Sequence, residues 1–311
     1  MSASMFNMAV SDSMNLQKQC PELAKLITVV TKDSETPSLA DLRIPNAAGA
    51  IIQKNAASLW PYKFVSWILQ DLVKLGSLNL QTNTPATNLQ KVDEGWIVHT
   101  SQGMISTPTI LLCTNAYTSA LLPWFEDLIV PVRGEMSSLI PPSSMKPAST
   151  THLPLDHSYV FRGHGNSTID QDDYLIQRPF SDCSDSKTIS ESIVGGELMF
   201  GGGRNLAPGV GISNDSSIDE RSAAYLRREL NVVLDLQHNS KELEASYEWS
   251  GIMGFSRDGY PWVGPATEPG TTDYGLWVCG GVSYPRSSDV LRSVLFRFTS
   301  YMSLPLAYKY C

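Results

Sequence analysis

Residues 109–123 read TILLCTNAYTSALLP, an apolar run followed directly by small and polar residues. An uninterrupted run of this kind is typical of a strand that is buried on both faces, as in a parallel sheet. The run ends at Thr114, Asn115 and Ala116, so a polar turn follows the carboxyl end of the strand. The segment therefore predicts a parallel sheet that is covered on both sides at residues 109–113.

The residues around this segment extend the pattern. Apolar side chains at helical spacing after Pro61 predict a helix at 62–75, which Gly76 ends. Three strands are predicted at 78–82, 86–92 and 96–100, and the last continues through Ser101, Gln102 and Gly103 into a short hairpin. A further strand at 275–279 leads into Gly280 and Gly281.

The middle of the chain has a different character, with separate strands between polar loops. We predict strands at 130–139, 159–162, 174–177, 197–201 and 245–249, and an exposed Ser- and Asp-rich loop at 181–192. A helix is predicted at 218–234, opened by a capping box of Ser217 and Glu220. Asp172 and Asp173 are expected in a turn, and residues 1–45 are expected to be weakly structured apart from a short helix at 21–27.

Composition restricts the class of protein. The formal charge of -8 and the pI near 5.1 argue against a nucleic-acid partner, which needs a basic face. The five cysteines are widely spaced without a CxxC pair, so they indicate neither a disulfide framework nor a zinc site, and no metal is expected. The N-terminus has no secretory signal and no segment predicts a membrane span, so we expect a cytoplasmic protein.

Motifs for other chemistries are missing from the sequence. Gly201, Gly202 and Gly203 form the only glycine cluster that resembles a phosphate loop, but no helix is predicted directly after them, as a dinucleotide loop requires. The GxSxG turn of hydrolases is absent, and the histidines form no HExxH pair. No general base can be nominated from these patterns.

Longer segments carry a family resemblance. They are, in order, GAIIQKNAASLWPYKFV from residue 49, LQTNTPATNLQ from 80, TILLCTNAYTSALLP from 109, IVPVRGEM from 129, DDYLIQRP from 172, ELMFGGGR from 197, YEWSGIMGFSRDGYPWVGP from 247 and GLWVCGG from 275. In this order they resemble the FAD-dependent oxidoreductases that include glycine oxidase, sarcosine oxidase and D-amino-acid oxidase, and especially the fungal members. The resemblance covers residues 42–281.

The resemblance implies FAD as the cofactor, bound over the carboxyl ends of a parallel sheet. The turn after residues 109–113 resembles the one that crosses the ADP half of FAD, and the strand near residue 86 resembles the one that meets the adenine. Gly280 and Gly281, after residues 276–279, resemble the start of the turn that approaches the flavin ring. The first two turns are expected close together at strand ends of the same sheet. The implied cofactor-binding residues are Ala86, Thr87, Thr114, Asn115, Ala116, Gly280 and Gly281.

The sequence also departs from this family. The GxGxxG strand-turn-helix of relatives would lie upstream of Met1, and the stretch from Val282 to Ser288 differs from theirs. We therefore expect a truncated form that is isolated without flavin and exposes an unpaired sheet edge. An arginine that binds the substrate carboxylate in relatives corresponds to Met253, which leaves Arg162, Arg178 and Arg257 as candidate substrate partners.

These observations predict a mixed α/β fold with two parts. A partial FAD-binding Rossmann-like sheet domain comprises residues 46–129 and 250–285, and an antiparallel-sheet substrate domain comprises 130–249. Residues 1–45 form the weakly structured N-terminal segment, and 286–311 form an atypical tail. The implied activity is hydride transfer from a small amine or amino-acid-like substrate to FAD. The alternative is a non-catalytic remnant of such an enzyme that binds no FAD.

Overall fold

The structure is a computed structural model that describes residues 3–145, 155–163, 172–179, 195–207, 209–236, 241–271 and 274–281. The expected loop at 181–192, the altered stretch at 282–288 and the tail at 286–311 lie outside these residues. The chain divides into two compact units. The first unit comprises Met1–Asn55, Arg133–Ile252 and Pro285–Cys311, and the second comprises Ala56–Val132 and Met253–Tyr284.

The N-terminal segment is more ordered than expected. It contains helices α1 (Ala3–Gln19) and α2 (Pro21–Ala24), and strand β1 (Ile27–Val30) pairs antiparallel with β2 (Ala50–Gln53). The prediction of weak structure over residues 1–45 was wrong, although the short second helix was expected. Phe6 is the buried residue of α1, and its ring packs on Gly49. This contact between distant residues cannot be recognised from local periodicity.

The second unit begins with helix α3 (Pro61–Lys74), which confirms the predicted helix. The predicted hairpin is also confirmed: β3 (Ala86–Val92), β4 (Gly95–Thr100) and β5 (Gly103–Thr107) form an antiparallel three-stranded sheet. Strand β6 (Ile110–Leu112) and helix α4 (Thr118–Leu121) follow. The predicted strand at 78–82 was wrong, since this stretch pairs with no strand of the described residues and ends at the left-handed Asn83.

The middle of the chain forms a five-stranded sheet in the order β11-β7-β10-β9-β8. Antiparallel pairing joins β10 to β7, β10 to β9 and β9 to β8, which confirms the predicted antiparallel sheet. The bounds are β7 Ile129–Leu139, β8 Tyr159–Arg162, β9 Asp172–Gln177, β10 Leu198–Gly202 and β11 Ala245–Ser256, with helix α5 at Glu220–Val233 between β10 and β11.

Two details of this sheet correct the sequence interpretation. Helix α5 is capped by Asp219, whose carboxylate accepts hydrogen bonds from the N–H groups of Arg221 and Ser222, and not by Ser217. Strand β9 already includes Asp172 and Asp173, which were expected in a turn. The buried Asp173 carboxylate accepts hydrogen bonds from the Gly203 N–H, at 3.0 Å, and from the Tyr225 hydroxyl, so its burial is compensated.

The second unit ends with β12 (Trp262–Pro265) and β13 (Leu276–Gly280), in a sheet of order β12-β13-β6. Strands β13 and β6 are parallel, with Leu111 opposite Trp277, which confirms the predicted parallel pairing. The expectation that both faces of β6 are covered was wrong. Ile110 and Leu112 are buried in a core with Leu122 and Phe125, but Leu111 is 61% exposed and Trp277 is 44% exposed.

Among the described residues, no helix is both long enough and apolar enough to cross a membrane.

Candidate functional site

The carboxyl ends of β6 and β13 meet through one side chain. Asn115 lies in the turn after β6, and Gly281 is the first residue after β13. The Asn115 side-chain oxygen Oδ1 accepts a hydrogen bond of 2.9 Å from the Gly281 N–H. The two turns lie together because β6 and β13 are parallel neighbours and therefore end at the same edge of the sheet. This edge brings together three of the predicted cofactor residues: Asn115, Gly280 and Gly281.

The turn after β6 is held by hydrogen bonds within itself. Asn115 has a left-handed backbone, with φ +48°, a conformation that asparagine adopts more readily than most residues. Its carbonyl accepts a 2.8 Å hydrogen bond from the Thr118 hydroxyl, which lies 3.0 Å from the Thr114 hydroxyl. Ala116 is buried. The conformation of Thr114, Asn115 and Ala116 is thus fixed by local contacts.

Glycines surround Asn115 closely. A Cβ atom at Gly280 would lie 3.2 Å from the Asn115 Cα, and one at Gly281 would lie 3.1 Å from the Ser256 Cβ. Gly281 also has a left-handed backbone, with φ +69°. Sequence reasoning missed Gly254, where a Cβ atom would lie 2.6 Å from Asn115 Oδ1. The only signal for it was its place in the conspicuous run from Gly251 to Gly259. Close packing of strand ends explains the requirement for all three glycines.

Ala86 and Thr87 were expected close to Thr114 and Asn115, at strand ends of the same sheet, and this expectation is only partly met. Ala86 and Thr87 begin β3, at an irregularity in its pairing with β4, and the Thr87 hydroxyl donates to the His99 carbonyl at 3.2 Å. Because β3 and β6 belong to different sheets, the prediction that both turns end strands of one sheet was wrong. Helix α4, which follows Asn115, nevertheless packs against β3, so both turns lie on neighbouring elements of the second unit.

The candidate arginines lie in different parts of the chain. Arg162 is buried at the end of β8, and Arg178 forms an ion pair with Glu197 at 3.3 Å; both belong to the first unit. Arg257 is exposed directly after β11 in the second unit, and its backbone N–H donates to the Leu128 carbonyl. The guanidinium of Arg178 is thus already engaged by a carboxylate.

The described residues contain no group of three or more His, Cys, Asp or Glu side chains placed to hold a metal ion.

Parallel strands whose carboxyl ends meet at polar turns define the edge at which open α/β sheets bind ligands. This fold and edge define an α/β protein that also contains antiparallel sheets. The sequence matches the family of FAD dependent oxidoreductases, DAO, over residues 10–286. Because the match covers most of the chain, the protein belongs to this family.

Solved structures share the fold. Glycine oxidase from Geobacillus kaustophilus aligns with a TM-score of 0.58 at 15% identity, over 96% of this chain and 76% of its own. L-proline dehydrogenase from P. horikoshii aligns with a TM-score of 0.60 at 13% identity, over 94% and 69%. Fructosyl amine: oxygen oxidoreductase (Amadoriase I) from Aspergillus fumigatus aligns with a TM-score of 0.58 at 12% identity, over 95% and 65%. No functionally curated protein matches. Identities this low establish a common fold and not a common substrate.

Proposed function

We propose that this chain is a flavin-dependent oxidoreductase that oxidises a small amine or amino-acid-like substrate, and that the ends of β6 and β13 form part of its FAD site. The observation that carries the proposal is the hydrogen bond between Asn115 and Gly281, which joins two turns expected to meet the cofactor. Membership of the FAD dependent oxidoreductase family supports the same cofactor.

The turns at the ends of β6 and β13 could hold FAD through their backbone groups. Thr114, Asn115, Ala116, Gly280 and Gly281 supply backbone at a sheet edge, where strand ends approach a nucleotide closely. The Gly281 N–H is already engaged by the Asn115 side chain, so Asn115 acts as a positioning residue that holds the turn in shape. The backbone of Ala86 and Thr87, at the start of β3, would contact the adenine of FAD. The bound flavin would accept a hydride from the substrate, while this chain positions both molecules.

The names of the similar structures support the proposed substrate class. Their names specify glycine, L-proline and a fructosyl amine, and each of these molecules carries a C–H bond beside nitrogen. A carboxylate on such a substrate would need a cationic partner. Arg162, Arg178 and Arg257 are the candidates, and Arg178 already forms an ion pair with Glu197.

The test begins with flavin. The flavin absorption of the chain as purified is measured first, which also tests the expectation of isolation without flavin. FAD is then added, and retention of its absorption through gel filtration is measured. Glycine, proline and a fructosyl amine are supplied to the FAD-treated chain with an artificial electron acceptor, and reduction of the acceptor is followed. Retained flavin and reduction with at least one substrate are expected.

The alternative is a non-catalytic protein of the same fold, and the same experiment separates the two. A chain that is folded by circular dichroism, retains no added FAD and reduces no acceptor would support the remnant and contradict the proposed activity. Replacing Arg162, Arg178 and Arg257 singly by glutamine then tests the substrate assignment. The arginine that binds the carboxylate is identified by a raised KM for the amino acids with a smaller change for an amine without a carboxylate.

A further inference from the structure

Two cysteines lie opposite each other on the exposed face of the parallel strands. Cys113 is the first residue after β6, and Cys279 lies within β13. The register places Leu111 opposite Trp277 and Leu112 opposite Val278. Cys113 and Cys279 each follow directly, so this register continued by one position would place the two cysteines side by side. Side chains alternate between the faces of a strand, and both cysteines therefore share the face of the exposed Leu111 and Trp277.

The spacing suits a covalent link. Neighbouring strands lie about 4.8 Å apart, within the separation of roughly 4.4–6.8 Å that the Cα atoms of a disulfide require. Both thiols are free, and Cys113 is exposed while Cys279 is half-buried. The Cys279 side chain also lies near enough to the Cys113 thiol to affect its pKa. An oxidant in solution can thus reach Cys113, and Cys279 is in place to react next.

We propose that Cys113 and Cys279 form a modification site, a dithiol that a hydroperoxide oxidises to a disulfide. This inference does not depend on FAD binding or on the proposed oxidation of amines. It concerns the same sheet edge, because Asn115 and Gly281 each lie two residues beyond one of these cysteines. The disulfide would join the two strands directly before the turns that the Asn115 side chain links.

The chemistry is balanced between the dithiol and the peroxide. One thiolate attacks a peroxide oxygen, so that an S–O bond forms and the O–O bond breaks, giving a sulfenic acid and an alcohol or water. The second thiol then attacks the sulfenic sulfur, so that the S–S bond forms and the S–O bond breaks, releasing water. In total, the two cysteines lose two electrons and two protons, and the peroxide gains them.

The environment of Cys113 sets the pH dependence of this reaction. Partial burial, followed by the neighbouring Cys279, raises the pKa of the Cys113 thiol above its ordinary value of 9.0. Because the thiolate is the nucleophile, oxidation through Cys113 should be slow near neutral pH and faster in alkaline solution. This direction distinguishes the pair from a site with an activated, acidic thiol.

The test uses a background variant of the full chain that carries Cys20→Ser, Cys183→Ser and Cys311→Ser, so that the two thiols remain. The folded variant is treated with hydrogen peroxide, unreacted thiols are alkylated, and the peptides are analysed by mass spectrometry. We expect both free thiols to be lost together, a linked pair of peptides containing Cys113 and Cys279, and release of the link by dithiothreitol. Oxidation of each cysteine separately, without linked peptides, would overturn the proposal.

Two controls separate pairing by the fold from random oxidation. In the same background, Cys113→Ser or Cys279→Ser should leave a single thiol that yields sulfenic acid and no intramolecular link. In a denaturing concentration of urea, a smaller share of the sulfenic acid should be captured as the Cys113–Cys279 link, because a long loop must close before the two sulfur atoms meet. An equal share of linked peptide from folded and unfolded chains would contradict the proposal, and circular dichroism confirms that each variant is folded.

Discussion

The side-chain oxygen Oδ1 of Asn115 lies 2.9 Å from the backbone nitrogen of Gly281 and accepts its hydrogen bond. The two residues are 166 positions apart in the sequence, yet this bond connects the turn after β6 with the turn after β13. The Gly281 N–H lies in a partly buried position, where an unpaired donor is unfavourable. Asn115 therefore determines the shape of the edge that we propose for FAD.

Replacing Asn115 tests this relationship. In Asn115→Ala the Gly281 N–H loses its acceptor, which should lower the free energy of unfolding by about 1–3 kcal/mol. Alanine also adopts the left-handed backbone of this position poorly, which adds about 1 kcal/mol. Urea unfolding followed by circular dichroism measures the change. If FAD binds, the affinity of the variant for FAD should fall as well.

Two further variants at this position serve as controls. Asn115→Asp keeps an acceptor oxygen and should retain more stability than the alanine variant. Asn115→Gly loses the acceptor but tolerates the left-handed backbone, so it should be intermediate. Equal stability of the alanine and aspartate variants would show that the hydrogen bond to Gly281 contributes little.

Gly254 should be the glycine least tolerant of a methyl group near this edge. In Gly254→Ala the new Cβ would lie 2.6 Å from Asn115 Oδ1 and 2.9 Å from the Ala116 nitrogen, so the turn after β6 must move. We expect a loss of about 1–3 kcal/mol in unfolding free energy, measured by urea denaturation. Gly264→Ala is the matched control, because a Cβ there meets nothing within 4 Å. Similar losses in both variants would show that strand glycines in general matter, and not this contact.

Glu135 should make the stability of the first unit depend on pH. Glu135 is only 7% exposed. Its Oε2 atom has no hydrogen-bond partner within the described parts of the chain. Oε1 accepts from the Asp219 N–H and pairs with Arg133 at 3.3 Å. Burial raises the pKa of Glu135 above its ordinary value of 4.5, against the smaller opposing effects of the Asp219 N–H and Arg133.

Because the native pKa of Glu135 is raised, its protonation stabilises the native state. The native state holds the Glu135 proton more tightly than the unfolded state. The stabilisation that protonated Glu135 gives the native state is therefore fully present below pH 4.5, and it is lost as the pH rises through the raised native pKa. Glu135→Gln mimics the protonated carboxyl, so this variant should gain stability relative to the original chain as the pH increases. Urea midpoints measured from acidic to neutral pH test this. A difference that does not change with pH would contradict the prediction.

Leu111 should promote association between copies of the chain. It lies on β6, at the edge of its sheet, and is 61% exposed beside Trp277. An exposed apolar edge strand invites pairing with another chain, and a lysine at such a position opposes it. Leu111→Lys should therefore reduce light scattering and the binding of an apolar dye. Gln102→Lys, at an exposed polar position in the turn between β4 and β5, is the control for added charge alone. Equal improvement in both variants would assign the effect to net charge.

Local pattern was sufficient for most elements of the fold. Helix α3, the hairpin of β4 and β5, and the strands of the antiparallel sheet were predicted because each has its own periodicity or turn residues. The predicted strand at 78–82 failed because extended residues form a strand only when a partner is available. Helix α1 was missed because its burial depends on Phe6 reaching Gly49, a contact that no local window contains.

The sequence by itself determined the family, the parallel character of the strand at Ile110–Leu112 and the identity of the turn residues, since order and residue type are written along the chain. Only the tertiary structure decided which of these residues meet. Asn115 contacts Gly281 and Gly254, Cys113 lies beside Cys279, and the strand of Ala86 belongs to another sheet than β6. The physical reason is that hydrogen bonds and close packing act between neighbours in space, and strand register sets those neighbours independently of distance along the chain.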